Sequence, residues 1–127
     1  MRLPILPALV AAAAACAAGP EAGDLTFDLA TPNQDDGAIQ FVITATPPEG
    51  VVTVRAACTG CRVFTAALND TEIRGVLTGT VVPGAALSVT VTDMRKTELY
   101  AAQVVAVATR AYALRTAEGY ALSIPQR

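Results

Sequence analysis

The chain has 127 residues, enough for one ordinary domain with one core. Nine basic against eleven acidic residues leave a net charge of −2 with no basic block, which excludes an electrostatic nucleic-acid binder. There is no histidine, so Ser-His-Asp and Cys-His nucleophile arrangements are excluded as well.

The first predicted element is a targeting segment. Met1-Arg2 leads into LPILPALVAAAAA (3–15), which carries no charge. The run is shorter than the roughly 20 apolar residues of a membrane-spanning helix, and Pro4 and Pro7 count against a buried N-terminal helix. A basic start, an apolar stretch and a small-residue exit predict a secretory signal over 1–15. Two processing outcomes stay open. Cleavage after Ala17 or Ala18 fits Ala15-Cys16-Ala17 as an A-x-A pattern. Alternatively, Ala13-Ala14-Ala15-Cys16 resembles a bacterial lipobox, although that family places Leu where Ala13 stands. The resemblance implies acylation of Cys16 and a membrane-anchored lipoprotein of the cell envelope. Three cysteines are an odd count for an exported chain, and lipidation of Cys16 leaves Cys58 and Cys61 as a pair. Residues 16–23 then read as a flexible tether on the order of 15 Å long, and 24–127 as a single domain.

The domain reads as short strands separated by turn residues. Leu25, Phe27 and Leu29 alternate with polar neighbours, as do Ile39, Phe41 and Ile43 beyond the loop TPNQDDG (31–37). VVTVRAAC (51–58) and CRVFTAAL (61–68) are separated by two residues and predict a hairpin. EIRGVLTG (72–79) is a weaker strand, VPGA (82–85) a type II turn, and Leu87, Val89 and Val91 mark another strand. DMRKTE (93–98) reads as a solvated loop. Residues 98–112 are open between helix and strand, and the valines favour a strand over 99–108. Tyr120, Leu122 and Ile124 form the last. About eight strands predict an all-β, antiparallel β-sandwich.

On the predicted hairpin, Val52, Val54, Ala56, Cys58, Cys61 and Val63 fall on the core side. Thr53, Arg55, Arg62 and Phe64 face outward, with Arg55 opposite Phe64 in a cation–π contact. Arg55, Arg62 and Phe64 form a candidate partner surface, since arginine and aromatics are enriched at interfaces. Cys58 and Cys61 lack the helical context of a redox Cys-x-x-Cys, and the ligand count of a zinc site. A disulfide holding the hairpin in register fits best, because opposed strand residues lie within disulfide reach. A two-thiolate copper site and free thiols are the alternatives. Asn33, Asp35 and Asp36 are a weak calcium candidate, but turn chemistry alone accounts for such a loop. No other metal and no cofactor are expected.

GAIQFVITA, PGAALSVTVTD and YAAQVVAVAT are similar to the strand pattern of cohesin-type β-sandwiches, and the chain resembles small bacterial envelope lipoproteins carrying one such domain. The resemblance implies a cohesin- or immunoglobulin-like sandwich and transfers no site residues. The chain is therefore expected to be non-enzymatic, exported and lipid-anchored, binding a protein or polysaccharide of the envelope or beyond it. Two other functions are open. One is a periplasmic thiol- or copper-handling protein using Cys58 and Cys61. The other is a secreted carbohydrate-binding module, weakened by the absence of tryptophan, with Tyr100, Tyr112 and Tyr120 its only platform and each expected at a core edge. A soluble periplasmic or secreted form is the alternative location.

Overall fold

The computed structural model describes residues 19–125. Cys16 and the predicted signal segment lie outside the described residues. Nine strands form: β1 (Gly23–Ala30), β2 (Asp36–Ala45), β3 (Val51–Ala56), β4 (Cys61–Asn69), β5 (Glu72–Gly79), β6 (Gly84–Val91), β7 (Tyr100–Thr109), β8 (Leu114–Arg115) and β9 (Ala121–Ser123). A 3-10 turn, Thr97–Leu99, precedes β7.

The strands make two sheets, one of order β3-β6-β1-β9 and one of order β4-β5-β2-β7-β8. All pairings are antiparallel. The expected all-β sandwich is therefore the fold, with the two-residue β8 as the additional strand. Only β4–β5 and β7–β8 are hairpins within one sheet; every other connection crosses from sheet to sheet.

The core follows from period-2 alternation. Leu25, Phe27 and Leu29 from β1, Ile39, Phe41 and Ile43 from β2, and Leu87, Val89 and Val91 from β6 all point between the sheets and are buried. Within residues 98–112 the stretch Tyr100–Thr109 is strand and no α-helix forms, with Tyr100, Val104 and Val107 turned inward. β5 looks weak in sequence because Gly75 interrupts it, yet it is an interior strand. Gly75 pairs with Phe41, and a Cβ there would stand 2.7 Å from Phe41 Cζ and 2.8 Å from the Phe64 carbonyl oxygen. The Phe41 ring occupies the place of the missing side chain, a known way to offset glycine in a sheet.

The predicted hairpin of 51–58 and 61–68 does not form. β3 pairs with β6 in one sheet and β4 with β5 in the other. The segment between them is the corner by which the chain changes sheet. Gly60, at φ +77°, takes the third position of a turn closed by the Cys61 N–H on the Cys58 carbonyl at 3.4 Å, as a type II turn requires. Cys58 and Cys61 lie within disulfide-bonding distance, with Cα atoms 5.5 Å apart. The pair is thus placed to staple an inter-sheet corner, not a ladder. The expected core side is also broken at Val52, which is 55 % exposed. A β-bulge between Val51 and Thr53 shifts the register there, turning Val52 out and Val54 back in.

The segment 93–98 is not simply solvated. Asp93 is buried, and its carboxylate accepts hydrogen bonds from the N–H of Arg95 at 3.1 Å and from Arg95 Nε at 3.2 Å. Tyr100 Oη accepts from the Asp93 N–H at 3.1 Å and donates to the Asp93 carbonyl at 3.0 Å. The hydroxyl thereby closes the β6–β7 crossing in the manner of a tyrosine corner. The expected tether is also shorter than residues 16–23. Arg95 Nη2 donates to the Gly19 carbonyl at 2.6 Å, the Met94 N–H to the Glu21 carbonyl at 2.8 Å, and Gly23 already belongs to β1.

Candidate interaction surface

The two lateral sides of the sandwich differ. On one side the edge strands β3 and β4 are joined by the Cys58–Cys61 corner. On the other side the edge strands are the stubs β8 and β9, which leave their neighbours half covered. β9 pairs with β1 only from Asp28 to Ala30, so residues 23–27 of β1 have a strand partner on the β6 side alone. β8 pairs with β7 only at Val107 and Ala108, so residues 100–106 have a partner on the β2 side alone.

Between these half-open edges runs a groove of about 750 Å³. Its buried walls include Phe27, Tyr100 and Leu122, and its exposed rim includes Asp24, Thr97 and Glu98. Both charged side chains lining it are carboxylates. Asp24 is held by Arg55 at 2.8 Å, whereas Glu98 makes no ion pair among the described residues. The groove is therefore an apolar slot with an uncompensated negative charge at its mouth and unpaired strand edge along its wall. Alternate N–H and C=O groups of an edge strand are free to pair with an added strand. Local patterning could not reveal this site, since its walls come from three separate stretches, within residues 24–27, 94–102 and 122–125.

The predicted partner surface is divided by the fold. Arg55 lies on the outer face of the four-stranded sheet, opposite Ser88 on β6, and its guanidinium contacts Asp24. The Thr90 hydroxyl donates to the same carboxylate at 2.6 Å, and these bonds, Thr90 first and Arg55 second, hold Asp24 below the usual carboxylate range. Arg62 and Phe64 lie on β4 in the other sheet, opposite Thr78 and Val76 of β5. The Arg55–Phe64 cation–π contact does not exist, because the two strands never pair. Phe64 is 61 % exposed, and Arg62 makes no ion pair among the described residues.

The calcium candidate is engaged by an internal cation. Arg115 Nη1 and Nη2 grip the two oxygens of Asp35 at 2.9 and 3.2 Å, which lowers the Asp35 pKa and raises that of Arg115. Asp36 is fully buried and accepts from Tyr120 Oη at 2.5 Å, Thr31 Oγ1 at 2.6 Å and Arg115 Nη1 at 3.3 Å. Asn33 Nδ2 donates to Tyr120 Oη at 2.9 Å instead of offering oxygen to a metal. Among the described residues no group of three metal-capable side chains converges. The cluster ties the β1–β2 loop to the segment carrying β8 and β9. Glu49 is likewise consumed, by Thr92 Oγ1 at 2.6 Å and Lys96 Nζ at 3.5 Å.

The three tyrosines form no platform. Tyr100 is buried on Asp93 and Tyr120 is half-buried on Asp36, as core-edge residues. Tyr112, expected at a core edge, is 93 % exposed on the β7–β8 turn at φ +66°. The geometry therefore offers a strand-lined acidic groove and a separate uncovered strand edge at β4. No protein-family model, curated protein or solved structure matches the chain.

Proposed function

We propose that the protein is a non-enzymatic, lipid-anchored module of the bacterial cell envelope that holds an extended segment of another envelope or extracellular protein. The signal-like residues 1–15 and the lipobox-like Ala13–Cys16 support the location. The observation that carries the binding role is the groove beside β1, with its half-open strand edge, its buried apolar walls and the unpaired Glu98 at its rim. An added strand alternating apolar and polar side chains would pair with β1, place every second side chain in the slot, and set a lysine or arginine against Glu98.

The test places a photo-cross-linking side chain at Thr97, on the groove rim, in the full-length gene. The envelope fraction is then examined by mass spectrometry. The expected result is a chain acylated at Cys16 and one discrete protein adduct that is lost when Glu98→Lys is added. An unacylated chain in the soluble fraction would overturn the anchor. Adducts indifferent to Glu98→Lys, or none, would overturn the groove as binding site.

A further inference from the structure

We propose that β4 is a self-association edge, through which two copies of this chain pair antiparallel about a two-fold axis at Thr65 to make one continuous sheet of both five-stranded sheets. This interface lies on the side of the sandwich away from the groove, and it is independent of the function proposed above.

β4 is the outer strand of its sheet and runs for nine residues, CRVFTAALN. A free edge of that length is a template for pairing with another chain unless it is blunted. The other edges are shorter or interrupted: β3 has six residues with a bulge between Val51 and Thr53, β1 is open only over residues 23–27, β8 and β9 are two and three residues long, and the exposed edge of β7 is interrupted by a bulge that turns Val105 out. β4 has no proline and no lysine, one charged residue, and a bulge only at its end, between Ala67 and Asn69. It is also exposed on both faces. From Phe64 to Asn69 no residue is even half-buried, although Phe64 and Leu68 are large and apolar. The opposite sheet therefore leaves most of this strand uncovered.

The choice of a second copy, rather than a foreign strand, rests on self-complementarity. A two-fold axis normal to the sheet requires an even register sum, so that facing side chains share a face. Centring the axis on Thr65, the middle of β4, gives the longest overlap. Phe64 then faces the small Ala66 of the other copy and lies diagonal to that copy's Phe64, within reach of an aromatic ring. Val63 faces Ala67, and Arg62 faces Leu68. Each copy's only β4 charge is thus kept away from its equivalent. Glu72 pairs with Asn69 on the neighbouring β5, so Arg62 comes within two strand spacings, roughly 10 Å between backbones, of the second copy's Glu72. That span suits an Arg–Glu pair. Arg62 has no ion pair of its own among the described residues, and Glu72 has only Arg74, at 2.9 Å.

The experiment is oxidative cross-linking of the exported protein carrying Thr65→Cys, read on non-reducing gels and by intact mass. The expected result is a covalent species of twice the chain mass, at least 10-fold above a Thr26→Cys control on the far sheet. Adding Phe64→Lys, a surface change that leaves the core untouched, should reduce it at least 10-fold. Sedimentation of the unmodified protein should show a dimer that Phe64→Lys dissociates. A yield equal to the control, a yield indifferent to Phe64→Lys, an adduct with a different protein, or a monomer in sedimentation would each overturn the proposal.

Discussion

Gly75 and Phe41 act as one unit, a ring seated in the gap left by a missing side chain. A methyl group at Gly75 meets both the Phe41 ring and the Phe64 carbonyl, at 2.7 and 2.8 Å, and a ladder carbonyl cannot step aside. Gly75→Ala should therefore destabilise the fold by about 1–3 kcal/mol, the usual cost of overpacking, measured by urea denaturation. Tyr100 carries a comparable burden through its hydroxyl, which serves both backbone groups of buried Asp93. Tyr100→Phe keeps the ring and removes both bonds, stranding a buried N–H. The expected loss is about 1–3 kcal/mol, and a thermal midpoint unchanged within error would refute that role.

At the level of elements, the corner between β3 and β4 depends on Gly60 and the cysteine pair. Replacing both cysteines by serine releases a four-residue loop, worth about 2 kcal/mol at most in the chain-entropy picture. Calorimetry should show a drop of that size or less, with the sheets intact. Local patterning sees such a corner poorly. β1, β2 and β6 were legible because each has one face in the core and one in solvent, which writes itself as alternation. The runs 51–58 and 61–68 carry the same alternation whether the chain turns back in one sheet or crosses to the other. What decides is the pairing of β3 with β6 and β4 with β5, and no local window contains it. For the same reason Arg62 and Phe64 are recognisable as surface residues from local patterning, whereas the neighbours of Arg55 follow only from the β3–β6 pairing. The Tyr120–Asp36 contact spans 84 residues and was out of reach.

For the molecule as a whole, stability should be almost independent of pH from 5 to 8. There is no histidine, and the groups with shifted pKa values are elsewhere. Asp24, Asp35 and Asp93 are held low by hydrogen bonds from Thr90 with Arg55, from Arg115, and from Arg95, respectively. A carboxyl group with a lower pKa folded than unfolded stabilises the fold above its unfolded value, and that contribution is lost as the pH falls through the folded value. Denaturant titrations should therefore give a plateau at neutral pH and a decline that begins below about pH 4; a decline starting at pH 6 would contradict this. The docking of Gly19 and Glu21 onto the 93–95 turn has a different kind of consequence. On the lipid-anchored reading, only three peptide steps separate an acylated Cys16 from a fixed point on the domain, a leash of at most about 10 Å. The domain could not tumble freely on so short a leash, and Met94 and Asp24, which line the groove, lie at the leashed end. A partner in the same membrane would then meet the groove by lateral diffusion, already oriented, with part of the rotational entropy of association spent in advance.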